Sequence, residues 1–107
     1  MKPILKNISF TRGNTYGLKL VLNTSIVEIK NIYFTVKDGN ETKLIEKYLD
    51  NGITLEENIM ILKLKPSDTE ELKENDEYKY DIQINYGLDD ELTIMKGLFT
   101  VGWKVTD

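Results

Sequence analysis

The chain has 107 residues, 40% of them apolar and 30% charged, which suits a single domain spanning residues 1–107. It contains no cysteine, which excludes a disulfide framework and thiolate chemistry. It also contains no histidine, which excludes an imidazole base and the commonest transition-metal ligand. Its net charge is −4 and Arg12 is its one arginine, which argues against a nucleic-acid partner.

Other classes of function lack their sequence signals. No apolar run approaches the roughly 20 residues that span a bilayer, and the start of the chain has no signal-peptide stretch. The glycines form no phosphate-binding loop, and no serine has a histidine to activate it. We therefore expect no membrane partner, synthesis in the cytoplasm, no enzymatic activity, no catalytic residue, no cofactor and no metal.

Alternating apolar and polar residues predict β-strands with one buried face. In chain order, the predicted strands are residues 7–12, 16–22, 32–37, 42–48, 60–65, 78–86 and 99–105. The alternation is clearest in 78–86, where every even position is apolar or aromatic. It is weakest in 7–12 and 42–48, and the latter fits a helix about as well as a strand.

Two irregular features complete this pattern. The apolar positions are even at Leu92 and Ile94 but odd from Phe99 onward, which predicts a bulge or break near residues 96–97. The one helical signal is a short turn near residues 67–73, where a capping serine or aspartate is followed by acidic residues.

About seven short strands with one helical turn predict an all-β fold, an immunoglobulin-like β-sandwich. Tyr78 starts the clearest strand, where the tyrosine corner of such sandwiches bonds its hydroxyl to upstream backbone. We therefore predict that Tyr78 is a structural tyrosine corner. Tyr80 takes the place of the second sandwich cysteine, where a buried ring would fill the volume of the disulfide.

Five aromatic residues suggest a sugar-binding platform as one interpretation. Most of them share the parity of aliphatic residues, which favours packing in the core. The exception is Tyr33, which alternates with Ile32 and Phe34 and is therefore predicted to face solvent or a partner. The five aromatics are Tyr16, Tyr33, Tyr48, Tyr86 and Trp103.

Acidic clusters give a second alternative, because carboxylates are ligands for hard cations. Asp89 and Asp90 are the candidates for a calcium site. None of the clusters has the spacing of a calcium-binding loop, and acidic residues at turns and helix starts are ordinarily solvated. Surface charge is the favoured interpretation.

Four short motifs resemble the N-terminal sandwich domain of the baseplate upper protein family of phage tails from low-GC Gram-positive hosts. They are Phe10-Thr11-Arg12-Gly13-Asn14-Thr15, residues 59–64 leading into Lys65-Pro66-Ser67-Asp68-Thr69, the run Tyr78-x-Tyr80-Asp81-Ile82, and Gly97-Leu98-Phe99-Thr100-Val101.

The resemblance implies a non-enzymatic virion or prophage component that assembles with copies of itself or with other tail proteins, and so a virion location. The alternative is a small ligand-binding module that holds a carbohydrate or a cation on its loops.

Overall fold

The computed structural model describes residues 3–11, 14–22, 29–73, 76–86 and 90–102. This part of the chain forms nine strands and one short helix. The strands are β1 (Ile4–Leu5), β2 (Ile8–Thr11), β3 (Tyr16–Val21), β4 (Ile29–Lys37), β5 (Lys43–Leu49), β6 (Gly52–Glu56), β7 (Ile59–Leu64), β8 (Glu77–Tyr86) and β9 (Asp90–Gly102), and the helix is α1 (Pro66–Thr69).

The strands pack as two layers. The front layer has the order β5-β4-β8-β9, with antiparallel neighbours, and β1 and β2 run parallel to β9 along its outer edge. The back layer has the order β6-β7-β3, also antiparallel. The layers connect at one corner, where β5 and β6 pair over only two residues each.

This strand order is that of an immunoglobulin-like sandwich. Such sandwiches place strands B, E and D in one sheet and strands G, F and C in the other, to which the variable type adds C′. Taken in chain order, β3, β7 and β6 correspond to B, E and D, while β9, β8, β4 and β5 correspond to G, F, C and C′. The predicted all-β, immunoglobulin-like sandwich is confirmed.

The core lies between the layers and follows the predicted alternation. In β8 the even residues from Tyr78 to Ile84 are buried, as are the even residues Met60, Leu62 and Leu64 of β7. Three rings meet at the centre, where Tyr80 lies 5.8 Å from Phe34 and 6.4 Å from Phe99, measured between ring centroids. Tyr80 thus fills the space predicted for it.

The predicted number of strands was too low. β1 and β6 were not predicted because neither has a sustained alternation: β1 has two residues, and β6 buries only Ile53 completely. Segment 42–48, which fitted helix or strand, is the strand β5.

The position of the predicted bulge was also wrong. β9 continues through residues 96–97, and the register with β8 shifts where Ile82 pairs with Met95 but Gln83 pairs with Thr93. Ile94 is therefore the extra residue. A bulge there moves the inward positions from even to odd, two residues before the predicted site.

The helical turn is shorter than predicted and begins earlier, at Pro66, because proline suits the first helical position. The chain ahead of it is held by Asp68, whose Oδ2 accepts a hydrogen bond from the backbone N–H of Lys65 at 2.7 Å. The same carboxylate accepts a 2.7 Å hydrogen bond from Lys47 Nζ in a largely buried ion pair. This ion pair ties β5 to the segment between β7 and β8.

Candidate functional site

The outer face of the front layer is built from the residues that alternate with the core. Residues paired across neighbouring strands share a face, so the strand registers define rows of side chains. Running from β5 to β9, the rows are Lys43, Lys37, Lys79, Leu98; then Glu46, Thr35, Asp81, Lys96; then Tyr48, Tyr33, Gln83, Thr93. A fourth row pairs Asn31 with Asn85 and Glu91.

Two adjoining concavities mark this face. One has a volume of about 450 Å³ and extends to Leu5 and Leu98 at the edge of the layer. The other has a volume of about 260 Å³ and extends to Tyr33 and Asn85. Both are lined by Thr35, Lys37 and Asp81, and Thr35 is only 7% exposed. The centre of the face is therefore already partly withdrawn from water.

Asp81 lies in the middle of this face, in the row next to the lysines. Burial raises the pKa of its carboxyl group, and the charges of Lys37, Lys43 and Lys96 lower it by a smaller amount. The carboxylate thus carries an uncompensated desolvation cost at neutral pH, which a donor from a partner would relieve.

Asn85 and Asn31, although paired across strands, differ in their hydrogen bonds. Asn31 Oδ1 accepts from the backbone N–H groups of Ile32 and Leu49, and its Nδ2 donates to the Tyr33 hydroxyl at 3.3 Å. Asn85 Oδ1 is buried and has no hydrogen-bond partner in the described part of the chain. A buried acceptor of this kind is unfavourable until a donor reaches it.

Tyr33 lies on the outer face, half-buried, as its parity predicts. Contact between Tyr33 and a partner stays a prediction. Tyr48 pairs directly with Tyr33 across β4 and β5 and is 40% exposed, so its predicted place in the core was wrong. The reason is an irregularity in β5, where Leu44 is an extra residue between the partners of Val36 and Lys37.

Other predicted residues lie away from this face. Tyr16 and Tyr86 are partly buried and pack against the core, as predicted, and Trp103 lies outside the described residues. The Tyr78 hydroxyl accepts a 2.9 Å hydrogen bond from the backbone N–H of Lys73, five residues upstream. This is the geometry expected of a tyrosine corner, which tethers the segment after α1.

Neither a protein-family model nor a curated protein matches this chain. One match among solved structures is the extracellular domain of the voltage-gated sodium channel beta4 subunit, which forms parallel homodimers that explain its role in cell–cell adhesion. The identity is 17%, the alignment covers 98% of this chain and 97% of that chain, and the TM-score is 0.45.

Two further findings concern the described residues alone. They contain no helix long and apolar enough to cross a bilayer. They also contain no group of three or more acidic side chains placed to hold a metal ion, and Asp89 of the candidate calcium pair lies outside them.

The front face brings aromatic, amide and charged side chains together on one surface. It carries two tyrosine rings, the carboxamides of Gln83 and Asn85, a partly buried carboxylate and several lysines. These groups can stack on, and form hydrogen bonds and ion pairs with, a bound partner.

Proposed function

We propose that this protein is a non-enzymatic structural domain of a phage or prophage tail, which assembles with copies of itself or with other tail proteins through its front face. The observation that carries the docking proposal is the adjacent pair Tyr33 and Tyr48 on an open, concave sheet face. Tyrosine is enriched in protein interfaces because it buries a large rigid ring and keeps a hydrogen-bonding group.

The remaining groups on the face support the same proposal. Protein interfaces combine a desolvated centre with a charged rim. Here the nearly buried Thr35 lies at the centre, while Lys43 and Lys96 lie at the sides. The tail assignment itself rests on the resemblance of the four sequence motifs.

Self-assembly is tested by size-exclusion chromatography with light scattering, from about 10 µM to about 1 mM, the weak end of specific association. We expect a mass above that of the 12.4 kDa monomer at the upper concentrations. The double variant Tyr33→Ser with Tyr48→Ser should lower association at least about tenfold.

The matched control is Ile59→Ser with Ile61→Ser, which removes two half-exposed apolar side chains from the outer face of the back layer. It should leave front-face association unchanged. A strict monomer at about 1 mM would contradict self-assembly. Tail or capsid genes beside the gene for this protein would support the tail assignment, and a neighbourhood of unrelated enzymes would contradict it.

A second candidate function is carbohydrate binding, which the same tyrosines favour when taken with the carboxamides of Gln83 and Asn85. Sugars stack on aromatic rings, and their hydroxyl groups form hydrogen bonds with carboxamides such as those of Gln83 and Asn85, which line the same concavity as Tyr33. A glycan array followed by titration of any hit distinguishes this function from assembly. Carbohydrate binding predicts that Asn85→Ala abolishes the hit while the monomer–oligomer equilibrium stays the same.

A further inference from the structure

The back layer ends in a strand edge that nothing in the described part of the chain covers. β3 pairs with β7 on one side and stands last in the strand order. At the opposite end of the molecule, β1 and β2 run along β9 and cover that edge. An uncovered edge presents unpaired backbone donors and acceptors, which can template a further strand.

The register identifies the backbone groups that face outward. The N–H of Leu22 donates to the carbonyl oxygen of Asn58 at 2.7 Å, in line with the pairing of Val21 with Ile59. Leu22 therefore points toward β7. Successive residues in an antiparallel strand point their N–H and C=O groups to opposite sides. Gly17, Lys19 and Val21 therefore direct theirs toward the open edge.

These three residues leave room for a partner strand. All three lie on the outer face of the back layer and are exposed, with Val21 72% exposed. A side chain added at Gly17 would meet nothing within 4 Å, so a bulky neighbour fits beside it.

The charged side chains that β3 and β7 place on the outer face are both lysines, and the nearest carboxylate on that face, Glu56, lies two strands away from β3 in the row of Val21 and Ile59. Lys19 and Lys63 are diagonal neighbours on the outer face, because Lys63 pairs with Gly17 and Ile61 pairs with Lys19. Neither lysine forms an ion pair with a described acidic residue. The apolar side chains of Val21 and Ile61 lie beside them. A complementary strand would carry a carboxylate between two apolar residues on one face.

We propose that the β3 edge binds an extended segment of a partner protein as an added strand, with an acidic side chain beside Lys19 and an apolar side chain beside Val21. Backbone hydrogen bonds supply the affinity of such pairing, and the alternate side chains supply the specificity.

A second copy of this chain fits the edge poorly. Two-fold pairing through Gly17, Lys19 and Val21 is centred on Lys19, which would lie directly opposite Lys19 of the other copy. Like charges in that position are destabilising. Lysine at an edge thus discourages self-pairing while favouring an acidic partner.

Amide hydrogen exchange measured by NMR tests this proposal residue by residue. The probe is the end-blocked peptide Thr-Val-Thr-Glu-Thr-Val-Thr, which has the same sequence in both directions, at about 1 mM. We expect exchange at the amides of Gly17, Lys19 and Val21 to slow by at least about fivefold, with no change at Leu18 and Leu20. The same peptide with lysine in place of glutamate should have a weaker effect.

Two variants separate backbone pairing from charge. Lys19→Glu should reverse the preference, so that the lysine peptide protects the edge better than the glutamate peptide. Lys19→Pro removes an outward N–H without touching the β7 ladder, and should abolish protection by either peptide. Continued slow exchange at Leu18 and Leu20 verifies that each variant is folded.

Three results would overturn the proposal. The first is no protection by the glutamate peptide at about 1 mM. The second is equal protection by both peptides, which would remove the charge selectivity. The third is slow exchange at Gly17, Lys19 and Val21 without peptide, which would mean that the chain itself or a second copy already covers the edge. The front-face variants at Tyr33 and Tyr48 leave this test unaffected.

Discussion

The two edge strands of the sandwich, β9 and β3, differ in whether another segment of the described chain covers them. At β9 the N-terminal segment adds β1 and β2 as parallel strands, and Ile8 of β2 is only 3% exposed. At β3 no described strand is added, and Val21 stays 72% exposed. One chain thus protects one edge and leaves the other open to a partner.

Besides the backbone hydrogen bond from the N–H of Lys6 to the carbonyl oxygen of Lys96 at 3.0 Å, side-chain contacts and a close backbone approach hold the covered edge between β1 and β2. The Tyr80 hydroxyl donates to the carbonyl oxygen of Lys6, and Asn7 Oδ1 accepts from the backbone N–H of Leu98 at 3.1 Å. Gly97 lets the N-terminal segment approach, because an added Cβ would overlap the Lys6 carbonyl oxygen. A covered edge therefore requires dedicated side chains, and the open edge has none of these.

The largest expected change in stability comes from a substitution at the covered edge. Gly97→Ala should lower the free energy of unfolding by about 2–3 kcal/mol, because the backbone of the N-terminal segment must move away. Urea denaturation measures it. The matched control is Gly17→Ala at the open edge, where an added methyl group meets nothing and the change should stay within about 0.5 kcal/mol. Equal losses in the two variants would contradict the distinction between the edges.

The second prediction concerns the corner where the layers connect. Asp68→Asn should lower the free energy of unfolding at pH 7 by about 1–2 kcal/mol, because Lys47 loses a charged partner in a largely buried site. Urea denaturation of both proteins at pH 7 and pH 3 measures the difference.

The pH dependence at this corner follows from the Asp68 carboxyl group. Burial raises its pKa, but the hydrogen bonds from Lys47 and Lys65 and the charges of both lysines lower it by more, to below its ordinary 3.8. The carboxylate form is thus favoured by folding. Its stabilisation is complete above pH 3.8 and is lost as the pH falls through the lower folded pKa. A difference between wild type and Asp68→Asn that grew toward low pH would contradict this sign.

The third prediction concerns Tyr78, which tethers the segment between α1 and β8. Tyr78→Phe removes the acceptor for the Lys73 N–H and should cost about 1 kcal/mol. Tyr86→Phe is the control, since the hydroxyl of that partly buried tyrosine has no hydrogen-bond partner among the described residues. Thermal or urea unfolding of the two variants should differ. An equal loss of stability in Tyr86→Phe would mean that the hydrogen bond of Tyr78 with the Lys73 N–H makes no specific contribution.

The smallest expected change in stability concerns Asp81 on the front face. Because burial raises the pKa of Asp81 against the opposing charges of Lys37, Lys43 and Lys96, its ionised form is disfavoured by folding. Its contribution to stability is therefore full below pH 3.8 and is lost as the pH rises through the folded pKa. Asp81→Asn should raise the free energy of unfolding at pH 7 by less than about 0.5 kcal/mol. A decrease in the free energy of unfolding at pH 7 would mean that ion pairing with the lysines outweighs the cost of burying the Asp81 carboxylate.

The strands with strict alternation were predictable because burial of one face imposes a period of two. Segment 78–86 is β8 almost residue for residue, and 60–65 differs from β7 by one residue at each end. The strands that failed depend on contacts remote in sequence. β1 exists only because β9 lies beside it, and the bulge at Ile94 is defined by its partners in β8.

The candidate site was predictable only in part. The parity of Tyr33 placed it outside the core, because its neighbours Ile32 and Phe34 are buried. Tyr48 was misplaced because Leu44 is an extra residue in β5, and the parity of β5 becomes visible only in its pairing with β4. The unpaired oxygen of Asn85 could not be predicted from the sequence, because whether an acceptor finds a donor depends on the groups that the fold places around it.

By itself, the sequence determined the all-β class, the residues of the central core and the outward direction of Tyr33, because these follow from local alternation and burial. Only the tertiary structure decided which edge is covered, where Asp68 meets Lys47 and which polar groups share the front face. Those features depend on pairs such as Lys6 with Tyr80, 74 residues apart, whose contact local sequence cannot encode.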